Sequence, residues 1–234
     1  MSAVLEVEPR APTLPFGDSD RHIVVPANWS TYERFLNARG ADNHGLRLTF
    51  NRGKLEFMSI SSKHDRSRYI LRRIVDTVTE ELNVPIVGQG ETTIRRKDLD
   101  RGFEPDIWFY ILNARRLAEI DRELDFEFDP APDLAVEIEI SRSLLDRIDL
   151  YAAIGLAEIW CYNGNALRIL VLQPDRTYIE RPSSVAISSL TSADLNLIIN
   201  EALQEDSTSY FRRFRLWVRQ HLVAARGDSS TVTA

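Results

Sequence analysis

Between residues 61 and 83 the apolar positions Ile70, Leu71, Ile74, Val75, Val78 and Leu82 recur at helical spacing. That period lines one face of a helix, and Ser61-Ser62 supplies a cap, so a long helix is expected to run to about Asn83. The preceding stretch has a different period. Residues 46–60 (LRLTFNRGKLEFMSI) alternate apolar and polar, and Asn51-Arg52-Gly53 breaks the alternation as a hairpin turn would. A shorter helix is expected from Ser30, as its cap, to about Arg39. Further strands are expected at 84–89, 91–96, 104–111 and 133–141, followed by a helix over about 143–154 that Gly155 stops. Residues 159–172 read as a second hairpin turning at Asn163-Gly164, and TYIERP as one more strand. Late helices are expected at 191–203 and 207–225, where Tyr210, Phe211, Phe214, Trp217 and Val218 share a face. This order predicts an α/β fold, a mixed sheet flanked by helices. Residues 1–27, with Pro9, Pro12 and Pro15, read as an N-terminal arm. The main domain then spans 28–182, a helical extension 183–226, and a disordered tail 227–234.

Composition narrows the class. The 234 residues, 44% of them apolar and 27% charged, suit an ordinary soluble globular domain rather than a fibrous or disordered chain. No apolar run is long enough to cross a bilayer, and the acidic N-terminus lacks the features of a secretory signal. Cys161 is the only cysteine, which excludes an internal disulfide and zinc clusters built on cysteine, and fits a reducing cytoplasm. The four histidines show no pair at ligand spacing. With 35 acids against 29 bases, the net charge of −6 argues against coating nucleic acid by bulk charge, though not against a local basic groove. The only lysines are Lys54, Lys63 and Lys97.

Two of the expected strands carry acids at every second position. In AVEIEIS, Glu137, Glu139 and Ser141 share one face, and Val136, Ile138 and Ile140 the other. In FEPDIWFY, Glu104, Asp106 and Trp108 share a face opposite Ile107 and Phe109. If the strands are neighbours, up to four carboxylates meet, and they stay ionised together only if a cation neutralises them. Oxygen ligands of this kind suit Mg²⁺ or Mn²⁺. The alternative is a solvated strand face. In the clustered case, Glu137→Ala in metal-free buffer relieves repulsion and leaves stability unchanged or higher.

Pro105-Asp106 followed by Glu137-Ile138-Glu139 resembles the PD-(D/E)XK nuclease pattern. The longer stretches 53–65, 90–111 and 132–160 are together similar to the Uma-two family of restriction endonucleases, over about residues 28–182. The resemblance implies a restriction-endonuclease-like core, with Asp106 and Glu137 binding Mg²⁺ or Mn²⁺ and the Ile138 carbonyl as a further ligand. The implied reaction is hydrolysis of DNA phosphodiester bonds, with RNA left open, by a protein that can work as a homodimer and needs no membrane.

The chain also departs from the pattern. Glu139 stands where the pattern has lysine, and no lysine follows Lys97. Family relatives carry a displaced lysine on the next helix; here that place holds Arg147, four residues before Tyr151. Arg147 either stabilises phosphate charge without acting as a base, or pairs with Asp146 or Glu158. His64 is either a base near the acids or a helix-start hydrogen bonder, and Glu56 either an additional acid or an exposed hairpin residue. Glu158 and Trp160 read as structural. Arg95, Arg96, Lys97 and Arg101, or the basic set Lys63, Arg66, Arg68, Arg72 and Arg73, can contact phosphates or simply face water. The lysine loss leaves a second reading open: a weakened nuclease fold that serves as a nucleic-acid-binding or protein-interaction module.

Overall fold

The computed structural model describes residues 19–40, 45–90, 92–139 and 145–223. Most of the proposed arm, Ser141, the expected start of the helix at 143 and the tail 227–234 lie outside them. The strands form two sheets where one was expected. The first contains β1 (Arg21–Pro26), β2 (Leu46–Asn51), β3 (Lys54–Ser59), β5 (Ile94–Arg96) and β6 (Arg101–Phe103), in the order β1-β3-β2-β6-β5, with every pair antiparallel. The second contains β4 (Val87–Gln89), β7 (Ile107–Tyr110), β8 (Leu134–Ile138), β9 (Glu158–Tyr162), β10 (Leu167–Leu172) and β11 (Tyr178–Arg181), in the order β11-β10-β9-β8-β7-β4. This sheet is mixed, because β8 and β9 run parallel while the other pairs are antiparallel. A short helix, α3 (Ala114–Ala118), follows β7; a parallel pair needs a crossover, and helix α4 (Arg147–Ile154) lies between β8 and β9.

Two local features replace sequence expectations. The arm is a strand from Arg21 onward: β1 pairs with β3 in the register Val24↔Glu56. The expected strand 104–111 is shortened to β7, which begins at Ile107, and a separate strand, β6, ends at Phe103. Proline has no N–H to give a ladder, so Glu104-Pro105-Asp106 becomes the link by which the chain passes from one sheet to the other.

Helix α1 (Trp29–Arg39) is capped by Asn28, whose side chain accepts from the Thr31 amide at 2.9 Å, rather than by Ser30. Its Tyr32 packs with Leu48, Phe50 and Leu55 on one face of the first sheet. Helix α2 (Ser62–Glu81) follows the expected stripe and is capped by Ser61. With α5 (Ser192–Ala202) and α6 (Ser207–Val218), it covers the face of the second sheet that presents Ile107, Phe109, Val136 and Ile138. The opposite face presents Trp108, Ala135 and Cys161 to Tyr151 of α4 and to Ile94 and Phe103 of the first sheet. Strand parity therefore sends Glu137, two residues beyond Ala135, toward the first sheet. On β2, Leu48 and Phe50 face α1, which leaves Arg47 and Thr49 on the other side.

The first sheet is tight where β6 crosses under α1. A Cβ added to Gly102 would lie 2.4 Å from the Tyr32 ring, closer than atoms can approach, and that ring is fully buried. Gly102→Ala is expected to destabilise the protein by about 1–3 kcal/mol through overpacking, measured by urea denaturation. The same substitution in a Tyr32→Leu background should cost less, because the obstructing ring is gone.

Candidate active site

The link Glu104-Pro105-Asp106 delivers Asp106 beside Glu137. Ile107 pairs with Val136 in the β7–β8 ladder, so the next residue on each strand, Asp106 and Glu137, lies at the same level. The Asp106 carboxylate has three neighbours. Its Oδ2 accepts from the Ile138 amide at 2.8 Å, its Oδ1 lies 2.8 Å from His64 Nε2, and Arg47 Nη2 is 3.4 Å from the same Oδ1. The other His64 nitrogen, Nδ1, is 3.1 Å from Asp20 Oδ2. Glu137 accepts from Arg147 Nη1 at 2.7 Å and from the Tyr151 hydroxyl, while Arg147 Nη2 donates to Thr49 of β2 at 3.2 Å. Glu56, on β3, is fully buried rather than exposed, with His22 Nδ1 3.1 Å away.

Asp20, Arg47, Glu56, His64, Asp106, Glu137 and Arg147 are each at most 6% exposed, so their charges must be compensated locally. The compensation comes from the protein's own cations. Burial opposes ionisation of Asp106, but the charges of His64 and Arg47 outweigh it and hold the carboxyl well below the usual range. Burial likewise disfavours a charged His64, yet Asp106 and then Asp20 lift its pKa to about 9, which makes it an imidazolium donor at neutral pH. Burial raises the Glu137 carboxyl; Arg147 pulls it back and Asp106 pushes it further, so it stays above the ordinary carboxylate range.

The other predicted residues lie apart from this pair. Glu104 takes no part, since Arg39 grips it at 2.6 and 2.7 Å and the Leu48 amide and Thr93 hydroxyl donate to it. Glu139 is half-buried just past β8, where its amide donates to the Tyr162 carbonyl at 2.8 Å. Of the four carboxylates expected together, Glu104 is engaged by Arg39 and Thr93, and Asp106 and Glu137 form the pair. Arg147 pairs with Glu137 rather than with Asp146, which caps α4, or Glu158, which binds Trp160 Nε1, the Ser184 hydroxyl and two amides. Of the basic loop, Arg101 turns inward to Asp149 at 2.7 Å and Arg96 is held by Asp98 at 2.6 Å, while Arg95 and Lys97 are exposed. On α2, Arg68 and Arg72 pair with Asp65 and Asp76, Arg66 donates to the Leu203 carbonyl, and Arg73 lies over Phe211. Sequence reasoning missed Asp20, His22, Arg47, Thr49 and Tyr151 as parts of the array. The alternation of Arg47 and Thr49 in β2 and the four-residue spacing of Arg147 and Tyr151 were the signals the sequence carried for any of them.

Among the described residues, no group of three or more His, Cys, Asp or Glu side chains is arranged to hold a metal ion. The donor chemistry of the pair still fits a hard cation. An ionised carboxylate offers about four lone-pair positions, and Glu137 uses two of them. Magnesium is commonly held by one or two carboxylates, with water and substrate phosphate completing its shell.

These features define a mixed α/β domain centred on a buried carboxylate pair with a guanidinium beside it. A sequence model of the Uma2 family, whose description reads "Putative restriction endonuclease", matches residues 29–203, and the chain belongs to that family. The match continues past residue 182, so the family region includes α5. A crystal structure from Anabaena variabilis, described as a putative nuclease belonging to DUF820, is 18% identical with a TM-score of 0.46, over 65% of this chain and 90% of that one. No curated protein matches the chain. No helix among the described residues is long and apolar enough to cross a membrane.

The pairing reverses one expectation from sequence. Removing Glu137 leaves Arg147 buried without its counter-charge, so Glu137→Ala should destabilise the metal-free protein by roughly 3–5 kcal/mol in urea titrations. A change near zero would mean that the pair does not form in solution. His64 sets the pH dependence. Its pKa rises from 6.5 to about 9 on folding, so its stabilisation is complete below pH 6.5 and is lost as the pH climbs through about 9. The loss should be of the order of 3 kcal/mol, read as a falling urea midpoint in EDTA that His64→Gln flattens.

Proposed function

We propose that this chain is a metal-dependent DNA endonuclease that hydrolyses phosphodiester bonds at the Asp106–Glu137 pair. Family membership supplies the nuclease class, and the observation that carries the site is the side-by-side position of the two acids on neighbouring strands. Asp106 and Glu137 would hold Mg²⁺ or Mn²⁺. When bound, such an ion lowers the pKa of a water and offsets charge growing on the phosphate.

The rest of the chemistry belongs to the chain's own groups. Arg147 stays protonated, so it cannot take a proton from water; its part is to hold a phosphate oxygen and stabilise negative charge. Among the described residues its Nε, which is buried, has no hydrogen-bond partner, which leaves a donor for such an oxygen. His64, charged at neutral pH and held between two carboxylates, positions Asp106 and is not the base in this state. Arg95 and Lys97 are the exposed members of the basic loop and are suited to contact the flanking backbone.

One observation favours the second reading, a weakened site in a nucleic-acid-binding module. The two acids are only 1% and 2% exposed and already face cations. The two readings part in one experiment. Purified protein should nick supercoiled plasmid in Mg²⁺ or Mn²⁺ but not in EDTA, and Asp106→Ala/Glu137→Ala should abolish nicking. Arg147→Lys should retain activity and Arg147→Met should lose it. Salt-sensitive plasmid binding without nicking, by folded protein in either metal, would replace the enzyme with the binding module.

A further inference from the structure

Residues 20–26 lie outside the family-matched region, which begins at residue 29, yet Asp20 reaches the site through His64 and His22 meets buried Glu56. Asp20 immediately precedes β1 and is 6% exposed. One of its oxygens accepts from the Ser61 amide at 2.8 Å, at the start of α2, and the other lies 3.1 Å from His64 Nδ1. His64 in turn meets Asp106 at 2.8 Å, and Asp106 takes the Ile138 amide at 2.8 Å. One line of contacts thus runs from the N-terminal strand, through the first turn of α2, to the acid pair on the second sheet. His22, two residues further along, makes the matching approach to Glu56. An imidazole free to rotate would leave Asp106 Oδ1 without its nearest partner; a carboxylate on the far nitrogen fixes the ring plane.

We propose that the N-terminal strand completes the active site, with Asp20 a positioning residue that acts through His64 on Asp106. The proposal rests on the nuclease reading above. It assigns a functional part to a segment that the family region does not contain. Because β1 is held by its full ladder to β3, from Arg21↔Ser59 to Pro26↔Lys54, Asp20 is anchored and need not be recruited on substrate binding.

The test uses the full chain with Asp20→Ala, Asp20→Asn and Ser61→Ala. The Asn variant keeps an acceptor for the Ser61 amide and so preserves the fold if the Ala variant does not. Ser61→Ala removes the hydroxyl that caps α2 through the His64 amide and that also bonds Asp20, but it leaves the Asp20 carboxylate beside His64. Amide spectra of isotope-labelled protein give the readout that does not depend on activity, since Ile138 reports where the Asp106 carboxylate sits. Both Asp20 variants should move the Ile138 cross-peak strongly, whereas Ser61→Ala should move chiefly the first turn of α2 and shift Ile138 less. Mn²⁺ affinity, read from free-ion resonance, should fall about tenfold or more in the Asp20 variants. In the nicking assay kcat should fall at unchanged KM for plasmid.

An Ile138 signal that stays in place while only residues 61–65 respond would make Asp20 a helix-cap partner and overturn the proposal. If wild-type protein neither binds Mn²⁺ nor nicks, the nuclease reading fails, and the Ile138 response still decides whether Asp20 positions Asp106.

Discussion

The ion pair between Glu137 and Arg147 ties α4, the second sheet and the first sheet to one buried charge. Arg147 opens α4, Glu137 lies in the middle of the second sheet, and the second guanidinium nitrogen reaches Thr49 on the first sheet. One buried cation therefore touches three elements. A pair of this kind gains little over a well-packed apolar substitute, because both partners lose their hydration. What it supplies is selectivity among arrangements, since any packing that separates the two leaves a charge buried alone. Asp106 does the same work from the other side, joining α2 through His64, β2 through Arg47 and β8 through the Ile138 amide.

Backbone chemistry makes this array reachable. Pro105 ends the first sheet's ladder and turns the chain into the second sheet within three residues. Glu104 and Asp106, which an unbroken strand would place on one face, then point to separate partners. Glu104 is spent on Arg39 at the end of α1, and Asp106 enters the crevice between the sheets. The crossover helix between β8 and β9 starts at Arg147, so the helix that the parallel pair requires also carries the cation that Glu137 requires.

The surface charges follow a milder logic. Arg215 and Arg219, at the end of the last helix, meet Glu80 and Glu81 at the end of α2, and Phe211 and Phe214 pack beneath them. These pairs are exposed and worth little individually; the aromatic face holds α6 in place. The arginine-rich helices thus spend much of their charge on neighbours within the fold.

The sequence by itself determined most of the elements and the faces they present. The period of Ile70, Ile74 and Val78, the hairpin at Arg52-Gly53, the stop at Gly155 and the alternation around Glu137 depend on neighbours a few residues away, and each reappears in the structure. Family membership was legible for the same reason, because its marks are short strings. Partners of charged side chains were not legible. Asp20 and His64 are separated by 44 residues, and Arg147 and Thr49 by 98, and no local period records such distances. Only the tertiary structure decided that the acids face guanidinium and imidazolium groups rather than solvent, that Arg101 turns inward, and that the supposed arm is a strand. Burial made those choices, because a charge removed from water must find its opposite wherever the chain has brought one.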